Sequence, residues 1–289
     1  MQLQGNERLM LVDSFALLFR GYYASAMMRP PTRNAKGHYT NGLQQFARYL
    51  FDAVKTFAPT HVICALDMGR ETFRNELYPQ YKANRGEPPA ELVPQFEMLR
   101  TMLEAYEIPY VGIAGYEADD LLGSMAEHYA DQGVPVQILS GDGDVLQLLR
   151  PNVEVILMKK GFSNYQTVSV ETLESYNGLR TPQQVIEMKA LMGDASDNIP
   201  GCPSVGPKTA LKLIQQFEDI DRLYANIEEV QGKLRLQLVQ HREQVELSRS
   251  LATINRDVAF DCCWQTAGWQ RDGERTRAQL NELGMNPLR

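Results

Sequence analysis

Four apolar runs in the first half of the chain lead directly into carboxylates. Leu9-Met10-Leu11-Val12 ends at Asp13, and Val62-Ile63-Cys64-Ala65-Leu66 ends at Asp67. Tyr110-Val111-Gly112-Ile113 leads to Glu117, Asp119 and Asp120, and Val136-Gln137-Ile138-Leu139 leads to Asp142 and Asp144. These runs alternate with stretches of helical apolar spacing, an order that predicts βαβ units on a parallel sheet. All carboxyl ends of such a sheet lie on one edge, where ligands bind. With Asp194 and Asp197, nine acidic side chains are expected to converge there. Ionised carboxylates at that density need cations, so the pattern points to hard-oxygen ligands for divalent metal and to phosphodiester chemistry.

Each carboxylate alone has a blander explanation, because an acid after a strand often caps the next helix. Capping needs one oxygen per helix, however, and does not call for Glu117, Asp119 and Asp120 together. Two Mg²⁺ ions are the expected occupants, with Mn²⁺ as a substitute, and some of the nine carboxylates are expected to act through water. Asp120→Asn and Asp144→Asn are both expected to abolish turnover.

The net charge of −7, from 29 basic and 36 acidic residues, disfavours a polyanionic partner at first sight. Setting aside the nine clustered acids leaves +2, which removes most of that objection. Cys64, Cys202, Cys262 and Cys263 lack CxxC spacing, and the histidines lack HExxH, so neither a disulfide framework nor zinc is expected. No apolar run is long enough to cross a membrane and no leader is evident, so the expected setting is cytoplasmic. The P-loop pattern is absent.

Helical spacing predicts one helix through Leu43–Phe57, ended by Pro59, a second over 92–106, and a third from Asp119 or Asp120. The third carries Leu122, Met125, Ala126 and Tyr129 on its inner face. Residues 68–91 differ, with Arg70, Arg74, Lys82 and Arg85 among Phe73, Tyr78 and Tyr81. That composition suits either a lid over a phosphate backbone or a solvated loop. A boundary is placed at residue 175, between a sheet domain (1–175) and a mostly helical region (176–289).

Within the helical region, Gly201-Cys202-Pro203-Ser204-Val205-Gly206-Pro207-Lys208-Thr209 joins two predicted helices over 183–217. This pattern suits a helix-hairpin-helix whose backbone amides and Lys208 face a phosphate without reading sequence. The vicinal Cys262-Cys263 pair, Trp264 and Trp269 are expected to pack in the C-terminal segment and are assigned no chemistry.

Taken together, Glu117-Ala118-Asp119-Asp120, Ser140-Gly141-Asp142-Gly143-Asp144, Gly193-Asp194-Ala195-Ser196-Asp197-Asn198 and the Gly201–Ala210 hairpin resemble the 5′-nucleases. That family includes the N-terminal nuclease domain of bacterial DNA polymerase I, phage 5′-exonucleases and flap endonucleases. Tyr81-Lys82-Ala83-Asn84-Arg85 resembles its arch, and the likeness runs from Leu9 to Asp257. It implies a PIN-like (Rossmann-like) sheet, a helical arch at about 68–105, and a helix-three-turn-helix DNA clamp. It further implies one metal centre from Asp13, Asp67, Glu117, Asp119 and Asp120, and another from Asp142, Asp144, Asp194 and Asp197. Lys82 and Arg85 match arch residues that engage the scissile phosphate, and Arg74 a nearby phosphate contact. Tyr81 is a candidate for base stacking, while Gly201, Ser204, Gly206, Lys208 and Thr209 match the duplex-binding hairpin. A K⁺ ion at the hairpin is implied, near Leu191, Met192, Pro200, Cys202 and Val205. Gly143 departs from the family pattern, where many members carry Lys.

The implied activity is a monomeric, structure-specific 5′-3′ exonuclease and 5′-flap endonuclease, serving primer or flap removal and repair. Its expected substrates are DNA with a 5′ flap, overhang or nick, and RNA–DNA primer hybrids. Two other readings fit parts of the sequence: a DNA-binding protein with a weak metal site, and a PIN-type ribonuclease.

Overall fold

The strands are apolar at nearly every position because helices cover both faces of the sheet they form. A computed structural model of the protein describes residues 7–26, 33–269, 278, 280, 281 and 283. Strands β1 (Leu9–Asp13), β2 (His61–Ala65), β3 (Tyr110–Val111), β4 (Val136–Ser140), β5 (Val153–Met158) and β6 (Tyr165–Val168) form one sheet in the order β3-β2-β1-β4-β5-β6. The pairings are parallel except between β5 and β6. The link from Met158 to Tyr165 is too short for a crossover, so β6 returns antiparallel.

Helices α1 (Ser14–Ala26), α2 (Asn41–Phe57) and α4 (Val93–Ala105) cover one face, α5 (Ala118–Asp131) covers the other, and the short α3 (Phe73–Leu77) lies between β2 and α4. Alternation along β1 shows the division: Leu9 and Leu11 pack with Leu121 and Met125 of α5, while Met10 and Val12 pack with Leu17 and Phe46. The predicted helices at 43–57 and 92–106 are α2 and α4. The first ends in left-handed Ala58 (φ 48°) just before Pro59. Helix α5 starts with Glu117 as its cap, and Leu122, Met125, Ala126 and Tyr129 are all buried as the spacing predicts.

After β6 the described chain is helical: α6 (Leu173–Asn177), α7 (Gln183–Met192), α8 (Pro207–Phe217), α9 (Ile220–Ala225), α10 (Gly232–Gln240) and α11 (Arg242–Ala252). Leu191, Ile214, Leu238 and Val245 belong to the same buried cluster as α5, so this region shares the core of one sheet face. The segment beyond α11 runs back across α5, where the Tyr129 hydroxyl donates to the Cys262 carbonyl at 2.7 Å. It reaches the sheet at β2, where the Val62 amide donates to the Ala267 carbonyl at 3.0 Å. Trp264 is buried there, in keeping with a packed C-terminal segment.

The hairpin glycines of the α7–α8 connection differ in backbone: Gly201 has positive φ, whereas Gly206 has φ −98°. Gly201 has φ 62°, and a Cβ there would lie 2.2 Å from the Gly193 amide nitrogen. Its amide donates to the Ser248 hydroxyl at 2.9 Å, and its carbonyl accepts from Gln244 Nε2 at 2.5 Å. Gly206, the residue before α8, has open space where a Cβ would go. The two glycines therefore differ in kind: backbone packing demands the first and nothing steric demands the second. Gly201→Ala should cost about 3 kcal/mol in a chemical denaturation experiment, from backbone strain plus overpacking. An unchanged midpoint would show that the connection relaxes freely.

Candidate metal and phosphodiester site

Parallel register brings the acidic strand ends together. Val12 of β1 pairs with both Cys64 of β2 and Leu139 of β4, so Asp13 stands beside Ala65 and next to Ser140. The Ser140 hydroxyl donates to Asp13 Oδ2 at 2.7 Å, and the Ala16 amide donates to Oδ1 at 3.1 Å. Asp13 therefore caps α1, as the bland reading allowed, and also faces the other acids. Burial, with repulsion from Asp67 and Asp142, holds its carboxyl up at about 6. Asp67 accepts from the Ala118 amide at 2.8 Å, and burial raises its pKa as well. Asp119, on the first turn of α5, is raised well above the usual carboxylate range by burial and then by Asp13, Asp142 and Glu117. Among the described residues no hydrogen-bond donor reaches its carboxylate. Asp142 is exposed and feels both Asp13 and Asp119.

A second group forms where β4 meets the end of α7. Asp144, Asp194 and Asp197 each place a carboxylate oxygen within 4.8 Å of the others. Lys189, a residue that sequence reasoning passed over, ion-pairs with Asp144 and lies 2.6 Å from Asp194 Oδ2. Its position is nearly buried, which is costly for an ammonium without partners. A lysine in the otherwise apolar Met188-Lys189-Ala190-Leu191, one turn from Asp194, was the available signal. The two acids sharing this cation behave oppositely. Asp144 sits at about 6 because burial and Asp142 outweigh Lys189. Asp194 sits at about 2 because Lys189 and the Ser196 hydroxyl and amide, the latter two at 2.7 Å, outweigh its burial.

The basic segment after β2 lies across both groups. Lys82 Nζ is 2.6 Å from Glu117 Oε1 and 3.7 Å from Asp197 Oδ2, and Arg85 ion-pairs with Asp197. Asn84 Nδ2 donates to the Ala195 carbonyl and Asn198 Nδ2 to the Gln80 carbonyl, each at 2.6 Å. Lys82 adopts φ 53°, a left-handed conformation costing a non-glycine residue about 1–3 kcal/mol. Its amide donates to the Asp197 carbonyl at 2.9 Å, which helps hold it there. The segment is thus a lid fastened to the 194–198 loop, with two cations aimed at the carboxylates.

Four expectations need correction. Asp120 is fully buried and all its acceptor positions are used: Arg74 donates to both oxygens at 2.8 Å, the Glu117 amide at 3.0 Å and the Asn255 amide at 2.8 Å. It has no lone pair left for a metal or a proton transfer. Arg74 is 2% exposed and so does not present its guanidinium to DNA. Tyr81 is 4% exposed, with its hydroxyl 3.0 Å from Glu117 Oε2 and 3.4 Å from Asp197 Oδ2, so its ring is not free to stack a base. Gly201 is buried with both backbone polar groups engaged, which makes it a packing residue of the hairpin. Ser204, Gly206 and Lys208 are exposed and Thr209 is half-buried. Of the residues assigned to K⁺, the Leu191 carbonyl accepts from the Cys202 amide at 2.8 Å and the Cys202 carbonyl from the Val205 amide at 3.1 Å.

Asp13, Asp67, Glu117 and Asp119 on one side, Asp144, Asp194 and Asp197 on the other, and Asp142, which acts electrostatically on Asp13, Asp119 and Asp144 alike, are the acids that could hold cations. Several carboxyl pKa values raised by burial and then by mutual repulsion, on oxygen-only donors, fit hard divalent ions. Two family models match the chain: 5′-3′ exonuclease, N-terminal resolvase-like domain, over residues 8–176, and 5′-3′ exonuclease, C-terminal SAM fold, over 180–274. This chain belongs to the 5′-3′ exonuclease family. A 5′-3′ exonuclease of Bacillus subtilis (strain 168) is 43% identical, covering 91% of this chain and 88% of its own. DNA polymerase I of Bacillus caldotenax is 39% identical over 96% of this chain, which spans only 31% of that longer protein. Among solved structures, a T5 5′-exonuclease with bound divalent metal ions (zinc) aligns with a TM-score of 0.68 at 24% identity, covering 86% of this chain and 90% of that one. The catalytic core of Rad2 in complex with DNA aligns with a TM-score of 0.60 at 19% identity, covering 97% and 89%. At these identities the structural likeness is one of fold.

Proposed function

We propose that the protein is a Mg²⁺-dependent hydrolase of DNA phosphodiesters, acting from a 5′ end and at 5′ flaps, with nicked duplexes and primer hybrids as further substrates. One observation carries this reading: two carboxylate groups share one sheet edge beneath a lid that aims Lys82 and Arg85 at them. A pair of divalent cations held by Asp13, Asp67, Glu117 and Asp119, and by Asp142, Asp144, Asp194 and Asp197, would neutralise these acids and activate water for in-line attack. Among the described residues no histidine lines the site as an alternative base.

The chain's own groups supply positioning. Lys82 and Arg85 now neutralise Glu117 and Asp197; a phosphate entering the site competes for them and gains two charge-assisted contacts. Lys189 offsets part of the charge of Asp144 and Asp194 throughout. Ser140 and the Ala16 amide fix Asp13, and the Tyr81 hydroxyl fixes Glu117 against Asp197. The duplex docks on the α7–α8 hairpin, where exposed Gly206 and Lys208 precede and open α8. K⁺ held by carbonyls of Leu191, Met192, Pro200, Cys202 and Val205 would stiffen that hairpin. The reading divides the chain near residue 175 into a cutting part and a duplex-holding part.

The test is cleavage of a 5′-labelled flap duplex in Mg²⁺, beside an EDTA control. Cuts near the junction that EDTA abolishes are expected; tight binding without any cut in Mg²⁺ or Mn²⁺ would overturn the reading. Lys208→Glu should weaken duplex binding about tenfold at low salt, with a shallower salt dependence. Gly206→Asp should do the same, since no packing requires glycine there. Unchanged affinity in both would move the duplex to another surface.

A further inference from the structure

Arg74 and Asp120 form a buried fork with a definite set of neighbours. Arg74 Nη1 and Nη2 donate to Asp120 Oδ2 and Oδ1, each at 2.8 Å. Arg74 Nε donates to the Leu251 carbonyl and Nη2 to the Thr253 carbonyl, both at 2.9 Å. The side of the fork toward the site faces Glu117 Oε2 at 3.6 Å. Asp120 accepts in turn from the Glu117 and Asn255 amides. Three segments far apart in sequence therefore meet at one ion pair: α3 at the root of the lid, the first turn of α5 with Glu117, and the end of α11.

Helix α11 also bears the hairpin. Ser248 and Gln244 hold the two backbone polar groups of Gly201, and Leu251 lies one helical turn further on. One short helix, through its buried face, thus joins the hairpin to the fork. A buried ion pair is a poor source of net stability, because desolvation offsets most of the attraction; its best-supported use is to fix a single register. A bidentate guanidinium–carboxylate pair is well suited to that, since it tolerates little rotation.

We propose that Arg74 and Asp120 are positioning residues: they set the reach between the docked duplex and the catalytic carboxylates, and so determine where the chain cuts relative to a flap junction. This rests on the hydrolase reading above. Neither residue touches DNA or metal.

Arg74→Lys keeps the charge but loses the fork. On a 5′-flap duplex in Mg²⁺ it should spread the cuts from one dominant position to its neighbours and lower kcat about ten- to a hundredfold. Duplex affinity in EDTA should stay within about threefold, since the hairpin surface is untouched. Mn²⁺ binding followed by calorimetry should keep its stoichiometry in both Arg74→Lys and Asp120→Asn. Amide exchange at Glu117 and Asn255 should quicken in both variants. Ser248→Ala, which cuts the hairpin end of the link and spares the ion pair, should also broaden the cut pattern, and it serves if Arg74→Lys fails to fold. A single unshifted cut in both Arg74→Lys and Ser248→Ala would overturn the proposal. Loss of one bound Mn²⁺ in Asp120→Asn would overturn it too, by making Asp120 a ligand. If the wild-type chain cuts nothing, the hydrolase reading fails by itself, while exchange and Mn²⁺ stoichiometry still report on the fork.

Discussion

Asp119→Asn should lower Mg²⁺-dependent cleavage of a flap duplex by about a hundred- to a thousandfold, the loss expected when a group that organises charge at a reacting centre is removed. The variant should nonetheless fold at least as well as wild type when no metal is present. Both results follow from the position of the carboxylate. Asp119 is crowded by Asp13, Asp142 and Glu117, and the nearby Lys82 offsets that repulsion only in part. Removing its charge relieves repulsion in the metal-free protein and, on the proposed reading, takes away a ligand from the loaded one. Asp144→Asn should also lose most turnover, but with less relief, because Lys189 already offsets part of its charge. Initial rates in Mg²⁺ together with thermal midpoints in EDTA test this pair of effects. A variant at position 119 that cuts at the wild-type rate would remove that carboxylate from the chemistry.

In EDTA the protein should lose stability as the pH rises from about 4 to above 6, on the order of a few kcal/mol in total. Asp13 and Asp144 are held at about 6 against an ordinary 3.8, chiefly by burial. Between those values the folded state binds more protons than the unfolded chain, so the stability these groups confer is complete below 3.8 and gone once the pH passes 6. Asp67 and Asp119 act in the same direction. Asp194, held at about 2, acts in the opposite sense: its contribution is present above 3.8 and disappears as the pH falls toward 2, outside this window. Binding of divalent cations requires the ionised carboxylates and releases their protons, so the stabilisation by Mg²⁺ should grow over the same pH range. Thermal midpoints between pH 5 and about 7.5, with and without Mg²⁺, provide the test. A flat profile in EDTA would mean that water reaches these acids freely.

Four of the six strands were legible because burial on two faces leaves a trace, apolar runs that each lead into the acidic edge; β5 and β6 carry no such acid and were not read from the sequence. The acidic residues were legible because there are more of them than helix caps require. Arg74, Tyr81, Asp120 and Gly201 show the limit of that approach. Each belongs to a motif that marks the site, yet each is spent on holding the site together. Lys189 shows the converse, a residue outside every motif that stands between two of the acids.

By itself the sequence determined the order of the first four strands and of the helices between them, the convergence of carboxylates on one edge, and the hairpin glycines, because these depend on local periodicity and on residue type. Only the tertiary structure decided which carboxylates keep free lone pairs, which cations answer them, and where the lid is fastened. Those outcomes depend on contacts such as Arg74 with Thr253 and Lys189 with Asp144, between residues far apart in the chain. Pattern along a chain carries no record of such distances; burial and hydrogen-bond saturation, which decide whether an acid can bind a metal, exist only once the chain has folded.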